Sequence, residues 1–428
     1  MPDRDTVTIR PARNVRGALR PPGDKSISHR YAMLGAIAEG RTSLKNFSTG
    51  ADCSSTLACM QALGARVERS SDGTVSIDGG ALREPSQALD CGNSGSTMRM
   101  LSGIVAGQEF TTELIGDESL TRRPMRRIIE PLQQMGARID SRDGCAPLRI
   151  HGCQLRALDY KLPVASAQVK SAVLFAGLFA SGETSAEEST PTRDHTELAL
   201  NAFGAKVQRA GNRVSVTGGQ KLRGIEAEVP GDISSAAFFL CAAALFPESD
   251  LTVERVSLNP TRTAVFDMLS LLGLRTIVLD AEDQNGELTG TVRALGGKLR
   301  GTIIDGADTA ALIDELPVLA AIAPYTEDGI EIRDARELRV KESDRIAVVA
   351  ENLCAMGARV EEREDGLLVP GGQKLHGAEI DSRGDHRIAM AFAIAALRAE
   401  GETAIRGAEA ARISYPEFFD VLEQLVQR

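Results

Sequence analysis

The amino-acid sequence predicts an α/β (α+β) protein of two domains, each built from three repeats that combine strands with two helices. Three observations lead to this class. The chain has 428 residues, more than one ordinary hydrophobic core accommodates. A short phrase that ends a helix and enters a strand returns several times, and polar helix starts recur every ~70 residues. Since this period is too long for a simple solenoid, we expect two domains of three units.

The repeated phrase is clearest at Leu132–Ile139, which reads Leu-Gln-Gln-Met-Gly-Ala-Arg-Ile. Similar octets stand at 60–67, 200–207 and 353–360, and a worn copy lies at 269–277. Glycine at the end of an apolar helical pattern predicts a helix terminus. The alternating residues that follow, such as Val75–Asp78 before two glycines, predict short strands separated by glycine turns.

Polar residues ahead of apolar helical patterns predict where the helices of each unit begin. The first helices are expected near Lys25, Gly95, Gln168, Ser234, Asp314 and Arg387, and the second helices near Ser54, Pro124, Asp194, Arg262, Ser343 and Pro416. Proline-glycine turns at 21–23 and 229–232 suggest the domain boundaries. We therefore expect a first domain at 22–231, a second at 1–21 plus 232–428, and a hinge with a substrate cleft where the chain crosses twice.

The composition is that of a soluble globular protein, with 43% hydrophobic and 25% charged residues. A net charge of −10, four tyrosines and no tryptophan argue against binding to nucleic acid or to an acidic membrane surface. Seven cysteines without a C-x-x-C pair predict neither a zinc site nor a disulfide framework. The most apolar run, Ser234–Phe246, is too short to span a bilayer, and the charged residues 1–10 lack the apolar segment of a secretion signal. We expect a cytoplasmic protein.

The most informative helix start reads Gly23-Asp-Lys-Ser-Ile-Ser-His-Arg30. Lys25 and Ser26 lie near a helix N-terminus, where free backbone N–H groups and the helix dipole favour an anion. Taken alone, this segment has two interpretations. It binds a phosphate or a carboxylate, or it is a capped surface helix whose cations are solvated.

Two further segments are rich in small or cationic residues. Gly92–Arg99 is a loop whose backbone N–H groups could hold an anion, with Gly95 allowing close approach, although a plain tight turn has the same pattern. Four arginines lie within Arg122–Arg127, usually the sign of a solvated face. Arg123 precedes a proline, which holds it extended, so a ligand contact is favoured there.

The remaining charged helix starts also have structural explanations. Ser166 could be a helix cap, and Gln168 could offer its amide to a ligand. Asp314 could simply complement a helix dipole, and the alternating charges of Lys341–Arg345 are typical of a surface helix. Asp385–Arg387 opens an almost wholly apolar helix, which is harder to explain as a surface feature.

Together these segments resemble the enolpyruvyl transferases, most closely the members that act on shikimate 3-phosphate. The motifs that carry the resemblance are Gly23–Arg30, Gly92–Gly95, Arg123–Pro124, Ser166–Ser171, Lys341–Arg345 and Asp385–Arg387. They occur in order over nearly the whole chain. The resemblance implies an inside-out α/β barrel in each domain, made of three βαβαββ-like units. It also implies transfer of the enolpyruvyl group of phosphoenolpyruvate to the 5-hydroxyl of shikimate 3-phosphate, with release of phosphate, on the shikimate pathway to aromatic amino acids.

The resemblance also assigns residues to each substrate. Shikimate 3-phosphate would be held by Lys25, Ser26, Arg30, Ser166, Gln168, Arg193, Asp314 and Lys341. Phosphoenolpyruvate would be held by Lys25, Gly95, Arg123, Gln168, Arg345 and Arg387. Asp314 would remove the hydroxyl proton, Glu342 would give and take the proton at the methylene carbon, and Lys25 would stabilise the bridging or leaving oxygen. No metal or organic cofactor is expected, and the partners are these two small anions bound to a monomer.

Some features depart from the family or favour relatives. Many members carry a lysine near the last aromatic-proline pair, where this chain has Arg412. Gly95 lacks the methyl group that crowds glyphosate in some relatives, so we expect inhibition by glyphosate. The enzyme that acts on UDP-N-acetylglucosamine has a reactive cysteine before an Arg-Pro step, and the loop Gly116–Pro124 has none. A non-catalytic anion-binding relative is disfavoured because Asp314, Glu342 and Lys25 are all present.

Overall fold

The computed structural model describes residues 5–428. Its α-helices, in chain order, are α1 (Lys25–Ile37), α2 (Ala51–Ala62), α3 (Gly95–Ala106), α4 (Glu118–Thr121), α5 (Arg126–Gln134), α6 (Ala167–Gly177), α7 (His195–Ala202), α8 (Ile233–Ala244), α9 (Ala264–Leu271), α10 (Gly306–Ala311), α11 (Leu316–Ile322), α12 (Arg345–Ala355), α13 (His386–Ala396) and α14 (Phe418–Leu425). Short 3₁₀ helices cover Ala323–Tyr325, Arg336–Val340 and Ala408–Ile413.

The strands alternate with these helices along the whole chain. They are β1 (Thr6–Ile9), β2 (Asn14–Leu19), β3 (Arg41–Lys45), β4 (Arg66–Arg69), β5 (Val75–Asp78), β6 (Leu89–Asp90), β7 (Thr111–Ile115), β8 (Arg138–Arg142), β9 (Cys145–His151), β10 (Leu155–Arg156), β11 (Asp159–Lys161), β12 (Ala180–Ser181), β13 (Glu183–Glu187), β14 (Val207–Ala210), β15 (Arg213–Thr217), β16 (Glu226–Glu228), β17 (Asp250–Ser257), β18 (Arg275–Gln284), β19 (Glu287–Leu295), β20 (Thr302–Ile304), β21 (Ile330–Ile332), β22 (Glu361–Arg363), β23 (Gly366–Val369), β24 (Glu379–Asp381), β25 (Thr403–Arg406) and β26 (Val426–Gln427).

The chain divides into two compact units. Unit 1 comprises the residues up to Pro22, Pro230–Glu282 and Leu288–Arg428. Unit 2 comprises Gly23–Val229 together with Asp283–Glu287, which include the turn between β18 and β19 and the adjoining strand ends. Each unit has its own hydrophobic core.

Unit 2 contains three four-stranded sheets of one topology. Their strand orders are β16-β3-β5-β4, β6-β7-β9-β8 and β11-β13-β15-β14. In each, the first two strands are parallel and the next two pairings are antiparallel. Within unit 2 this threefold recurrence confirms the predicted repeat of strands and helices.

Unit 1 repeats the pattern with modifications. The sheet β20-β21-β23-β22 is the same, with one parallel and two antiparallel pairings. The sheet β24-β25-β1 recruits β1, and the five-stranded sheet β18-β19-β17-β2-β26 pairs β2 in parallel with β17. All of these sheets are open in the described residues, so the repeats form separate sheets and no closed barrel.

The interior of each unit is helical. Every residue of α8 and of α13 is buried, because both helices are apolar on all sides after their first residues. In unit 2, α3 and α6 pack so closely that a Cβ on Gly103 would lie 2.1 Å from the Ala172 carbonyl oxygen. Glycine is therefore required at that contact. Buried helices with sheets on their outer sides are the inside-out arrangement, and the predicted α/β class is confirmed.

The helix starts lie close to those expected from the sequence. The first helices begin at Lys25, Gly95, Ala167, Ile233, Leu316 and His386, and the second at Ala51, Arg126, His195, Ala264, Arg345 and Phe418. Capping side chains place several of them, since Asp24, Ser94 and Asp232 each accept a hydrogen bond from a backbone N–H in the first turn. Among residues 5–428, none of the helices combines the length and hydropathy that a membrane crossing needs.

Candidate active site

Lys25 is the first residue of α1 and points its ammonium group at a carboxylate. Its Nζ lies 2.9 Å from Oδ2 of Asp52, which is in the first turn of α2 and buried. Sequence reasoning assigned no role to Asp52. The ion pair holds the lysine side chain in one direction at the start of α1.

Arg30 is buried one turn further along α1, and hydroxyl and carbonyl oxygens hold it. Its Nη1 donates to the Ser26 carbonyl oxygen at 2.8 Å, its Nε to Thr196 Oγ1 at 2.7 Å, and its Nη2 to Ser171 Oγ at 2.8 Å. Burial lowers the pKa of Arg30, and the nearby Glu197 carboxylate opposes that shift. In the described part of the chain no carboxylate pairs directly with this guanidinium, so its charge is not neutralised at contact distance.

Two other predicted residues of unit 2 lie close to Arg30 or to the start of α6. Arg193 is half-buried before α7, three residues ahead of Thr196, whose hydroxyl accepts from Arg30. The positive charge of Arg193 also lowers the pKa of Arg30. Ser166 is the N-cap of α6, and its side chain accepts a hydrogen bond from the Val169 N–H at 3.4 Å. Ser166 is therefore a helix cap, as one of the two interpretations of the sequence holds. As the N-cap it lies two residues before Gln168, in the first turn of α6.

Gly95 begins α3 directly beneath an arginine. A Cβ at this position would lie 3.1 Å from Nη2 of Arg123 and 3.0 Å from Nη1 of Arg99. Arg99 in turn donates to Gln168 Oε1 at 2.8 Å, and Gln168 Nε2 donates to Ser96 Oγ at 2.8 Å. The structure thus brings Gly95, Arg123 and Gln168 together, and adds Arg99, which sequence reasoning did not single out.

Arg345 is the centre of the predicted residues in unit 1. Its side chain is 1% exposed, with Nε 2.8 Å from Asp385 Oδ2 and Nη2 2.6 Å from Glu342 Oε2. Burial by itself lowers the pKa of Arg345, but the Asp385 and Glu342 carboxylates outweigh it, and the net shift is upward. Asp385 is fully buried, and the Arg345 guanidinium overcomes the effect of burial so that the pKa of Asp385 is lowered. Both groups are therefore charged.

Asp314 and Arg387 adjoin this centre. Arg387 Nη1 donates to the Asp314 carbonyl oxygen at 2.6 Å, and its Nη2 lies 3.8 Å from Asp314 Oδ2. Asp314 Oδ1 is 4.0 Å from Arg345 Nη1. The N-cap residue of α11 is Glu315, so Asp314 does not cap that helix. Its carboxylate instead faces two guanidinium groups.

Lys341 and Glu342 follow the 3₁₀ helix Arg336–Val340 and are both half-buried. Burial lowers the pKa of Lys341, and the Asp314 carboxylate opposes the shift. Ser343, the next residue, donates to Asp385 Oδ2 at 3.0 Å. Asp314, Lys341, Glu342, Arg345 and Arg387, all five of the predicted residues in unit 1, therefore lie in one connected group.

The two groups differ in chemical character. In unit 2 the predicted residues supply cations and hydroxyls, which suit an anionic ligand. In unit 1 two partly exposed carboxylates, those of Asp314 (17%) and Glu342 (13%), lie beside cations, so that group can also exchange protons. No set of three or more His, Cys, Asp or Glu side chains in residues 5–428 has the arrangement of a metal site.

Comparison with known proteins gives one consistent result. The family described as EPSP synthase (3-phosphoshikimate 1-carboxyvinyltransferase) matches residues 9–422. A 3-phosphoshikimate 1-carboxyvinyltransferase from Koribacter versatilis is 63% identical over 425 residues, covering 99% of this chain and 100% of the relative. One from Solibacter usitatus is 54% identical over 424 residues, covering 98% and 99%. The solved structure of EPSP synthase from Acinetobacter baumannii matches with a TM-score of 0.87 and 42% identity over 98% of each chain. The chain therefore belongs to the EPSP synthase (3-phosphoshikimate 1-carboxyvinyltransferase) family.

Proposed function

We propose that Asp314, Glu342 and Lys25 carry out the proton transfers and charge stabilisation of enolpyruvyl transfer in this chain. The enzyme is a transferase of aromatic amino-acid biosynthesis: it moves the carboxyvinyl group of phosphoenolpyruvate to the 5-hydroxyl of shikimate 3-phosphate and releases phosphate. Asp314 takes the hydroxyl proton as the oxygen attacks C2 of phosphoenolpyruvate. Glu342 protonates the methylene carbon, and it removes a proton from the resulting methyl group as phosphate leaves.

The observation that carries this assignment is the arrangement around Arg345. The buried guanidinium of Arg345 lies 2.6 Å from the Glu342 carboxylate and 4.0 Å from the Asp314 carboxylate. Both acids are therefore held beside one fixed cation. Glu342 has a direct ion pair, whereas Asp314 faces Arg345 and Arg387 at longer range. Two acids in unlike surroundings suit unlike roles: Asp314 only takes a proton, whereas Glu342 gives a proton and later removes one.

The substrates are assigned to the residues that suit their charges. Shikimate 3-phosphate is bound by Lys25, Ser26, Arg30, Ser166, Gln168, Arg193, Asp314 and Lys341, and phosphoenolpyruvate by Lys25, Gly95, Arg123, Gln168, Arg345 and Arg387. Support comes from the buried, fixed guanidinium of Arg30 and from the close approach of Arg123 to Gly95. Arginine forks of this kind match phosphate and carboxylate oxygens. Lys25 supplies the charge that stabilises the bridging or leaving oxygen.

The test is phosphate release from phosphoenolpyruvate in the presence of shikimate 3-phosphate. Asp314→Ala should bind both substrates but lose turnover by about 10²- to 10⁴-fold, the range for a general base. Glu342→Gln should lose turnover with solvent-deuterium exchange into the methylene group abolished. A matched control is Glu351→Gln, an exposed acid on α12. Near wild-type turnover in Asp314→Ala would show that the base assignment is wrong.

The proposal also covers the state in which the enzyme works. All proposed residues lie on one chain, and both substrates are small, so we propose a monomer that acts in the cytoplasm without nucleic acid. Light scattering after size exclusion, with and without both substrates, should give the mass of one chain. A stable dimer in either condition would contradict this part.

A further inference from the structure

We propose that Lys170 is a positioning residue for shikimate 3-phosphate, because it fastens both ends of the loop that carries Arg193. Lys170 lies on α6, and its side chain is 1% exposed. Its Nζ is 2.9 Å from Glu188 Oε2 and 2.8 Å from Glu197 Oε1. This inference rests on the proposed assignment of Arg193 to that substrate.

The two carboxylates bracket the loop. Glu188 directly follows β13, and Glu197 is in the first turn of α7, so the residues between them form the connection that contains Arg193. Ser189, Thr190 and Pro191 are exposed, which leaves the ends of the loop as its attachment points. A single ammonium group bridges those ends.

Glu188 also fixes the residue immediately before Arg193. Its carboxylate accepts hydrogen bonds from the backbone N–H of Thr192, at 3.3 Å, and from the Thr192 hydroxyl. Its own N–H donates to the Asn212 carbonyl oxygen at 3.1 Å. Lys170 therefore acts on Arg193 through Glu188 and Thr192.

Glu197 depends on Lys170 in a different way. In the described residues the Lys170 ammonium, 2.8 Å from Oε1, is the ion-pair partner of the Glu197 carboxylate. The Glu197 carboxylate also opposes the lowering of the Arg30 pKa. Lys170 thus holds the acid that supports the charge of Arg30.

The positive charges of Arg30 and Arg193 explain why this loop needs a restraint. Arg30 and Arg193 are close enough for their positive charges to oppose each other, and without substrate this repulsion favours movement of the exposed loop away from Arg30. The bridge of Lys170 to Glu188 and Glu197 restrains it. A phosphate group then meets two guanidinium groups already in place, which reduces the ordering cost of binding.

The first measurements are steady-state constants for Lys170→Met and Lys170→Arg. Lys170→Met should raise the KM for shikimate 3-phosphate about 10- to 100-fold with kcat changed less than about 3-fold, since the lost interaction positions substrate and takes no part in chemistry. The KM for phosphoenolpyruvate should change less than about 2-fold. Lys170→Arg keeps the charge and should restore most of the loss. Lys161→Met, which removes an exposed lysine near the same sheet, is the matched control and should behave as the wild type.

A combined variant separates positioning from fold stability. Lys170→Met alone leaves two buried carboxylates uncompensated, which lowers the stability of the fold as well. The combined variant Lys170→Met/Glu188→Gln/Glu197→Gln removes all three charges together and so avoids this loss. A melting temperature near that of the wild type with the KM for shikimate 3-phosphate still raised supports positioning. A wild-type KM in this combined variant overturns it.

A double-mutant cycle of Lys170 and Arg193 separates the positioning role of Lys170 from the proposed binding role of Arg193. Arg193→Ala should raise the KM for shikimate 3-phosphate, and adding Lys170→Met should raise it little further if Lys170 acts through Arg193. An unchanged KM in Arg193→Ala overturns the proposed role of Arg193 itself. A second outcome is that Arg193→Ala raises the KM and that adding Lys170→Met raises it by the same factor as in the wild-type background. That outcome overturns the positioning role of Lys170 and leaves the role of Arg193 in place.

Discussion

The substitution Asp385→Asn removes one negative charge from the interior of unit 1 with almost no change of shape. Asp385 accepts from Arg345 Nε at 2.8 Å and Nη2 at 3.2 Å, from Ser343 Oγ at 3.0 Å and from the Arg387 N–H at 2.9 Å. An amide has one acceptor oxygen. Whichever way it turns, its NH₂ group faces a donor of Arg345, so at least one charged hydrogen bond becomes a donor–donor contact.

The expected loss of stability follows from burial. Breaking one side of a buried ion pair typically costs about 3–5 kcal/mol, because the remaining charge stays in the interior. Arg345 keeps its 2.6 Å contact with Glu342, which places the estimate at the lower end, about 3 kcal/mol. Asparagine can still cap α13, so the cap contributes little to the difference.

The measurement is urea unfolding followed by far-ultraviolet circular dichroism at several pH values. Glu351→Gln is the matched control, because Glu351 pairs with Arg383 at 2.7 Å but both side chains are more than half exposed. Such a surface pair contributes about 0–1 kcal/mol. The pKa of Asp385 is lowered in the folded protein, so its stabilisation is present above the unfolded value, about 3.9, and is lost as the pH falls through the folded value. The gap between wild type and Asp385→Asn should therefore be constant near neutral pH and narrow in acid.

The catalytic consequence is separate. Arg345 should lose its fixed orientation in Asp385→Asn, so the KM for phosphoenolpyruvate should rise. If Asp385→Asn is no less stable than Glu351→Gln, or if the gap widens in acid, the charge around Arg345 does not determine the stability of this region.

Three further predictions concern single side chains. Gly95→Ala should raise the KM for phosphoenolpyruvate and weaken the glyphosate inhibition expected of the wild type, because the added methyl would lie 3.1 Å from Nη2 of Arg123; inhibition curves at fixed phosphoenolpyruvate check this, and equal inhibition of both enzymes would contradict it. Asp52→Asn should lower kcat/KM for both substrates about tenfold, equivalent to 1.4 kcal/mol, because Lys25 loses its charged partner; an unchanged kcat/KM would refute this. Burial lowers the pKa of Lys341, so kcat/KM for shikimate 3-phosphate should fall as the pH rises toward a value below that of an ordinary lysine, and Lys341→Arg should move this alkaline limb upward in a pH–rate profile.

The features that could be predicted from the sequence are local ones. Helix starts and ends depend on a capping side chain, a terminal glycine and the spacing of apolar residues, all within a few residues of each other. For this reason Lys25, Gly95 and His386 begin helices close to the expected positions. The largest displacement is in α2, which begins at Ala51, before the expected Ser54. Pro124 precedes α5 and does not open it, since that helix begins at Arg126.

The features that sequence reasoning missed depend on distant pairing. Asp52 and Asp385 each pair with a cation from another segment, and Lys170 pairs with the acids Glu188 and Glu197. Each of the three looks like an ordinary helix-start or helix residue when read along the chain. The turn Asp283–Glu287 is a second case. Glu287 pairs with the buried His195 at 2.7 Å, so this turn belongs to unit 2, and nothing in its own residues indicates the partner.

Several cations among the proposed site residues are held in place by acids and hydroxyls that have no part in the proposed proton transfers. Asp385 holds Arg345, Asp52 holds Lys25, and Glu188, itself paired with Lys170, holds the loop that contains Arg193. The net charge of −10 does not prevent the chain from binding two polyanions, because these acids form ion pairs that orient the cations of the site. Removing a cation should then weaken substrate binding, whereas removing its supporting acid should also destabilise the fold where the pair is buried. The contrast between Asp385→Asn and Asp52→Asn tests that distinction, since only the first acid is wholly buried and bonded twice to its arginine.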